Sequence, residues 1–173
     1  MPTERLTVAM IAELTKWKLS LAVAFSAVTG YLIFDGGSAG GLLPVAAGVF
    51  LLSAGAASLN QFSERKSDAL MERTAGRPLP SGRMTPRRAV LAAVILLLSG
   101  SGLLGISGHM PFVLGLANVL LYNVIYTGLK KVTSLAIIPG ALVGAVPPLI
   151  GYTAASGGVA DTAILLFALF MFL

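Results

Sequence analysis

The sequence contains no cysteine, a single histidine and few charged residues, which make up only 11% of its 173 positions. Without cysteine the chain has no disulfide framework, no thiolate metal site and no cysteine nucleophile. Soluble proteins carry about 25% charged residues. A soluble fold could not cover the 56% of hydrophobic residues present here. The length corresponds to one domain, so we expect a single domain whose solvent is lipid.

Positive charge is missing from three of the connections between the apolar segments. Every lysine and arginine falls in the N-terminal segment 1–18, in the polar stretch 63–88 or at the pair 130–131. Basic loops stay on the cytoplasmic side, so this asymmetry predicts a multi-pass membrane protein with its N-terminus and basic loops in the cytoplasm. The expected location, on which this orientation depends, is a bacterial inner membrane. Topology and anionic lipid head groups then explain the net charge of +5, and no nucleic-acid partner is predicted.

The apolar segments have the length of membrane-spanning helices and predict an all-α, polytopic helix bundle. A last apolar segment follows position 161 but reaches only about a dozen residues before Leu173, whereas a span needs about 20. We therefore expect one transmembrane domain over 1–173 that is a fragment of a longer one and that begins with a cytoplasmic amphipathic segment at 1–18. About five full spans are predicted, at 19–34, 42–62, 89–107, 112–129 and 135–152.

Asn60, Glu64 and Asp68 follow one another at intervals of four residues where the second span leaves the apolar region. At about 100° per helical residue the three side chains drift by only about 80°, so they line one face of a helix. Carboxylates one turn apart lie about 6 Å from each other at their Cβ atoms, which suits shared coordination of a hard divalent cation. Mg²⁺ prefers one or two carboxylates together with phosphate oxygens. The pattern therefore predicts an Mg²⁺ site at Glu64 and Asp68 that acts through a bound diphosphate.

Basic residues follow these carboxylates in the same polar stretch. Arg73, Arg77 and Arg83 would supply fixed positive charge to a diphosphate. Pro78 and Pro80 are predicted to hold the segment extended. We therefore interpret 63–88 as a cytoplasmic active-site loop. Charge by itself leaves open the alternative of a plain positive-inside loop, in which acidic and basic side chains merely neutralise one another.

Polar side chains also form a stripe on the fourth predicted span. Asn118, Tyr122 and Tyr126 recur at intervals of four residues. A stripe that faces the bundle could line a substrate cavity, or it could serve hydrogen bonding between helices. Both interpretations stay open at this point.

Longer motifs around these residues resemble a known family. The run from Asn60 to Pro80 resembles the first acidic motif of the UbiA-type intramembrane prenyltransferases, and within them the haem O synthase branch. That branch tolerates Glu at the first carboxylate position, here Glu64, and continues with a pattern matched by Met71-x-Arg73-Thr74-x-x-Arg77-Pro78-Leu79. The resemblance covers nearly the whole chain through Tyr126-Thr127-x-Leu129-Lys130-Lys131 and Gly144-Ala145-Val146-Pro147-Pro148-Leu149-Ile150-Gly151.

The resemblance implies a bundle of about nine membrane helices around a cavity that opens to the cytoplasm. Two acidic motifs would hold Mg²⁺ and an isoprenoid diphosphate there, and the second motif would lie beyond Leu173. The implied reaction transfers a farnesyl group from farnesyl diphosphate to a vinyl group of haem b, and water completes the hydroxyethylfarnesyl product. Metal and cations would assist the departure of diphosphate. The resemblance also implies terminal-oxidase assembly partners.

Three other functions share parts of this pattern. A prenyltransferase for a quinone precursor or a chlorophyll-type acceptor would have the same diphosphate half of the site. An ion-coupled transporter would place its charges near the bilayer midplane, whereas Glu64 and Asp68 lie at the predicted cytoplasmic boundary. The third alternative is a non-catalytic assembly protein, and the arginine-rich motif gives no reason to prefer it.

The resemblance assigns Asn60, Glu64 and Asp68 to the metal–diphosphate site. Two local departures from the family pattern occur where the family usually has proline: Trp17 stands between two lysines, and Gly128 stands near Tyr126. The expected cavity-lining residues are Asn118, Tyr122 and Tyr126. The basic residues expected to contact the diphosphate are Arg73, Arg77, Lys130, Lys131, Lys16 and Lys18.

Overall fold

The computed structural model describes residues 7–34 and 38–158, together with Leu165, Phe167 and Leu169. Apart from those three positions, the apolar segment predicted after 161 lies outside the described residues, as do positions 1–6 of the predicted amphipathic segment. The helices are α1 (Val8–Thr15), α2 (Trp17–Ile33), α3 (Ala39–Asp68), α4 (Glu72–Ala75), α5 (Pro86–Ser107), α6 (His109–Leu120), α7 (Thr127–Leu129) and α8 (Ile137–Ser156). A π-helical segment, Leu121–Tyr126, joins α6 to α7, and a 3₁₀ turn, Ser134–Ala136, precedes α8.

Four helical runs in the described part of the chain are long and apolar enough to cross a membrane, and α2 is a shorter apolar helix. These five runs correspond to the five predicted spans, so the prediction of an all-α, polytopic membrane bundle is confirmed. Helix α3 continues beyond the predicted apolar span 42–62 as far as Asp68, as the spacing of Asn60, Glu64 and Asp68 predicts. The long runs are Gly40–Asp68, Pro86–Ser107, His109–Leu129 and Ser134–Ser156.

Polar residues mark the starts of several helices. Ser38 precedes α3 and Thr85 precedes α5, and their side-chain oxygens accept hydrogen bonds from the main-chain N–H groups of Gly41 and Arg88. These bonds satisfy donors that have no partner within the helix. Pro86 occupies the first turn of α5, where a missing N–H costs nothing.

Helix α3 lies at the centre of the described bundle. It packs along α5 and α2 and also contacts α1, α6 and α8. These contacts place α3 between the other helices, with its C-terminal end beside α1. The apolar core around it consists of Ala27, Tyr31, Val45, Val49, Leu52, Leu104 and Ile150.

Helices α2 and α8 approach each other through two glycines. A Cβ atom added at Gly30 would overlap the carbonyl oxygen of Pro148, and one added at Gly151 would overlap the carbonyl oxygen of Ala27. The two backbones are therefore in direct contact, which is a packing mode that small residues permit in membranes.

Replacing Gly151 by alanine should force α2 and α8 apart and destabilise the bundle by about 1–3 kcal/mol, because the obstacle is backbone rather than a flexible side chain. Thermal unfolding of the purified full-length protein measures this effect. The matched control is Gly102→Ala in α5, where an added Cβ meets nothing within 4 Å. An equal loss of stability in both variants would contradict the close approach.

On the side where α3 ends, α1 packs against the polar stretch. Leu14 is fully buried and shares an apolar cluster with Leu79 and Met84. Here the prediction that Pro78 and Pro80 hold an extended segment is wrong. The chain turns, because the N–H of Ser81 donates to the carbonyl of Arg77 at 3.0 Å and the N–H of Met84 to that of Pro78 at 2.9 Å. Proline fits a turn as well as an extended strand, and burial of Leu79 decides between them.

Candidate active site

The extended C-terminal end of α3 brings Asn60, Glu64 and Asp68 to the wall of one polar cavity of about 370 Å³. Asn60 and Asp68 are almost fully buried, and Glu64 is partly exposed to the cavity. The three side chains share a helix face, as their spacing predicts, because α3 stays helical through Asp68. Four cationic side chains also line this cavity: Lys16, Arg73, Arg77 and Lys130.

Each carboxylate is paired with a cation from another part of the chain. Lys130 Nζ lies 2.9 Å from Glu64 Oε1, and Arg77 Nη1 lies 2.7 Å from Asp68 Oδ2. The amide of Asn60 donates to Glu64 Oε2 at 2.8 Å. These pairs fix the positions of both carboxylates without neutralising the cavity, because two further cations remain.

Thr127, which the sequence reasoning did not single out, orients the amide of Asn60. Its hydroxyl donates to Asn60 Oδ1 at 2.8 Å and lies at the same distance from the carbonyl oxygen of Tyr122, five residues earlier. The π-helical segment before Thr127 widens the turn and sets this register. Such π-helical turns occur preferentially at functional sites. The motif 126–131 contained the signal, but a role for Thr127 could not be deduced from spacing.

Asn60 belongs to the predicted metal–diphosphate site, so replacing Thr127 by valine should lower turnover about 10- to 100-fold, the usual cost of removing a group that orients a residue of such a site. Valine has no hydroxyl to donate to Asn60 Oδ1, so the amide of Asn60 would lose the bond that keeps its nitrogen directed at Glu64. Steady-state turnover of the full-length protein is the measurement. Thr127→Ser keeps the hydroxyl and should keep most of the activity, so equal losses in both variants would contradict this role.

Thr74 is a second residue that the sequence reasoning missed. It is buried, and its hydroxyl donates to the main-chain oxygen of Asp68 at 2.8 Å. This bond ties α4 to the end of α3 and so places Arg73 and Arg77 beside the cavity. The Arg-Thr run of the motif was visible in the sequence, but the contact depends on the turn at residues 69–71.

Lys16 enters the cavity from the junction of α1 and α2. Its backbone is left-handed, with φ 47° and ψ 49°, which makes it the one non-glycine residue with positive φ among those described. This conformation costs about 1–2 kcal/mol for a residue with a side chain. Burial lowers the pKa of Lys16, and the positive charges of Arg77 and Lys130 lower it further. Within the described residues, Lys16 and Arg73 make no ion pair.

The structure does not place Lys18 and Lys131 on the cavity wall. Both side chains are exposed, and the ammonium group of Lys18 lies 5.8 Å from the ring centre of Trp17. Lys18 belongs to the first turn of α2, after the left-handed junction at Lys16, and Lys131 lies in the turn that follows α7.

An apolar cavity of about 750 Å³ adjoins the polar one. Tyr122 and Tyr126 line both cavities, and their rings are stacked with centres 5.8 Å apart. Asn118 lines the apolar cavity and also donates to the carbonyl of Val143 in α8 at 3.3 Å, so lining and helix bonding occur together. The cavity follows α3 from Ala57 back to Val49, which is about 12 Å at the helical rise.

A family model described as the UbiA prenyltransferase family matches residues 20–173. The chain belongs to the UbiA prenyltransferase family.

Several relatives of this UbiA family member carry the name protoheme IX farnesyltransferase. The relative from Cytophaga hutchinsonii is 38% identical over 148 residues, which cover 84% of this chain and 52% of that protein. The relative from Geobacter sulfurreducens is 40% identical over 156 residues, which cover 90% of this chain and 58% of that protein. The mitochondrial relative from Arabidopsis thaliana is 42% identical over 158 residues, which cover 89% of this chain and 37% of that protein. The chain thus spans about half the length of the bacterial relatives, which is consistent with the predicted fragment.

Solved structures show the same fold at lower sequence identity. A structure from work on digeranylgeranylglyceryl phosphate synthase matches with a TM-score of 0.85 at 22% identity, covering 95% of this chain and 58% of that one. A UbiA homologue from Archaeoglobus fulgidus, bound to GPP and Mg²⁺, matches with a TM-score of 0.74 at 14% identity. The match covers 94% of this chain and 60% of that one. At these identities the likeness concerns the fold of the UbiA family alone.

Proposed function

We propose that this chain is the donor-binding part of a membrane prenyltransferase that transfers a farnesyl group from farnesyl diphosphate to a vinyl group of protohaem IX, forming haem O. The observation that carries the proposal is the junction of two cavities. One is polar and lined by carboxylates and cations, the other is apolar, and the two share a wall at Tyr122 and Tyr126. An amphiphile with a diphosphate head and a hydrocarbon tail has this division of chemistry.

The charges of the polar cavity favour an anionic head group. Its two carboxylates face four cations, so the described wall is positive overall. Lys16 and Arg73 have no carboxylate partner among the described residues and would be neutralised by a diphosphate. Guanidinium and ammonium groups also stabilise negative charge that develops on the departing oxygens.

Glu64 and Asp68 fit an Mg²⁺ ion that is shared with a diphosphate. Within the described residues there is no cluster of three or more His, Cys, Asp or Glu side chains, so a cage made by protein alone is not built here. Mg²⁺ in contact with phosphate needs only one or two carboxylates. When bound, the ion would supply Lewis-acid stabilisation of the leaving diphosphate. Asn60, through its bond to Glu64, keeps that carboxylate oriented.

The apolar cavity would hold the farnesyl chain and keep water away from it. The reacting carbon would then lie near the boundary between the cavities, beside Tyr122 and Tyr126. Aromatic faces attract cations, so these rings would stabilise the allylic cation that forms as diphosphate departs. The vinyl group of haem b would attack that cation, and water would complete the hydroxyethylfarnesyl group.

The names of the relatives support haem b as the acceptor, and family membership favours prenyl transfer over ion-coupled transport. The test is to incubate the full-length protein in membranes with haem b, farnesyl diphosphate and Mg²⁺ and to measure farnesylated haem by mass spectrometry. Absence of that product would overturn the acceptor assignment. Parallel incubations with a quinone precursor and with a chlorophyll-type acceptor identify the other candidate acceptors.

The proposal includes a location and an orientation. We place the protein in a bacterial inner membrane with segments 1–18 and 63–88 on the cytoplasmic side, where the basic residues lie. Terminal-oxidase assembly proteins are the proposed partners, since they would use the haem product.

A further inference from the structure

The C-terminal end of α1 is capped by a side chain from α3. Gln61 is 1% exposed, and its amide nitrogen donates to the main-chain oxygens of Glu13 at 2.7 Å and Leu14 at 2.9 Å. The last carbonyl groups of a helix lack their usual partner four residues later, and Gln61 supplies a donor to both. The carbonyl of Glu13 also accepts a longer bond, 3.4 Å, from the main-chain N–H of Lys16.

These two carbonyls are the ones that a continuous helix would use. If α1 ran on into α2, the N–H groups of Trp17 and Lys18 would donate to Glu13 and Leu14, four residues earlier. The amide of Gln61 occupies both acceptors instead. Ser20 acts on the other side of the junction, where its buried hydroxyl donates to the main-chain oxygen of Thr15 at 3.0 Å.

The residue at this junction is Lys16, whose left-handed backbone separates α1 from α2. In a right-handed conformation Lys16 would extend α1, and its side chain would leave in another direction. Gln61 lies next to Asn60 on α3, but about 100° further around the helix. One helix therefore carries both the groups that face the polar cavity and the amide that faces α1.

We propose that Gln61 is a positioning residue that keeps Lys16 in its left-handed conformation and thereby aims the Lys16 ammonium group at the diphosphate end of the polar cavity. The inference rests on the proposed function, because it takes a prenyl diphosphate as the ligand. Gln61 does not touch this ligand and acts through Lys16.

The experiment is a double-mutant cycle on the full-length protein in membranes, with farnesyl diphosphate and Mg²⁺. The variants are Gln61→Met, Lys16→Met and the combination of both, and the measurements are KM for farnesyl diphosphate, kcat and the Kd of the donor without acceptor. We expect each single variant to raise KM and Kd about tenfold, with a smaller change in kcat, since a lost contact to a charged group weakens donor binding. The combined variant should resemble Lys16→Met.

A matched control loosens α1 at a different point. Glu13→Gln removes the ion pair with Arg83 (2.9 Å) but keeps the main-chain oxygen to which Gln61 donates. Its KM should stay within about twofold of the wild type, because exposed ion pairs contribute little.

Two results would overturn the inference. One is that the single effects multiply to about a hundredfold in the combined variant, which would mean that Gln61 acts independently of Lys16. The other is an unchanged KM in folded Gln61→Met. If Gln61→Met does not fold, Ser20→Ala replaces it in the same cycle. Multiplied effects with Lys16→Met, or an unchanged KM in Ser20→Ala, would then overturn the inference. If the wild-type protein does not bind farnesyl diphosphate, that result would instead contradict the proposed function.

Discussion

Asp68→Ala and Glu64→Ala should each lower farnesyl transfer by about a thousandfold or more, the scale on which electrostatic stabilisation of a leaving group acts. The reason is geometric. The two carboxylates share one face of α3 and one cavity, and each is already held by a cation from another part of the chain. Removing either would take away one of the two carboxylates that α3 offers to the proposed Mg²⁺ ion. Single-turnover rates measured at saturating farnesyl diphosphate test this expectation.

Controls separate lost chemistry from lost structure. Glu72→Ala removes an exposed carboxylate from α4 that does not line the cavity, and it should leave the rate unchanged. Asp68→Asn and Glu64→Gln keep the side-chain volumes and should still fold and insert into the membrane. If these two variants retained more than about a tenth of the wild-type rate, the carboxylates would not be essential to the site.

Removal of divalent cations should abolish transfer, and returning Mg²⁺ should restore it. The carboxylates of Glu64 and Asp68 repel a diphosphate, which also carries negative charge, unless a cation bridges them. We expect a loss of about a thousandfold on chelation, because the metal contributes several kcal/mol of charge stabilisation. The measurement is the rate as a function of free Mg²⁺ concentration.

The same titration links the ion to particular residues. In Glu64→Gln the Mg²⁺ concentration for half-maximal rate should rise, since one ligand charge is gone, whereas in Glu72→Ala it should not move. A rate that is independent of divalent ions in the wild type would contradict the Mg²⁺ assignment, while leaving the family membership and the fold intact.

The sequence was most informative where one physical rule dominates. Hydrophobic length predicted the spans, and helical periodicity predicted that Asn60, Glu64 and Asp68 share a face. Both rules are local, and α3 obeys them through Asp68. The assignment of basic residues was less complete: Arg73, Arg77, Lys130 and Lys16 line the cavity, whereas Lys18 and Lys131 do not. Lys16 lies at a left-handed junction and Lys131 in a turn, and a cluster of like charges does not reveal which of its members faces inwards.

The turn at Pro78 and Pro80 shows how tertiary packing decides between local options. Proline allows an extended segment and a turn almost equally, so the rule applied to the sequence could not distinguish them. Burial of Leu79 beside Leu14 and Met84 favours the turn, and that contact joins residues far apart in the chain.

By itself, the sequence determined that this chain lies in lipid as a helix bundle and that two carboxylates share one helix face. Composition and helical period act within a single segment, so they need no knowledge of its neighbours. Only the tertiary structure decided which cations pair with those carboxylates, that Thr127 orients Asn60, and that Lys16 is turned into the cavity. These contacts depend on distances between separate helices, and such distances result from the packing of the whole bundle.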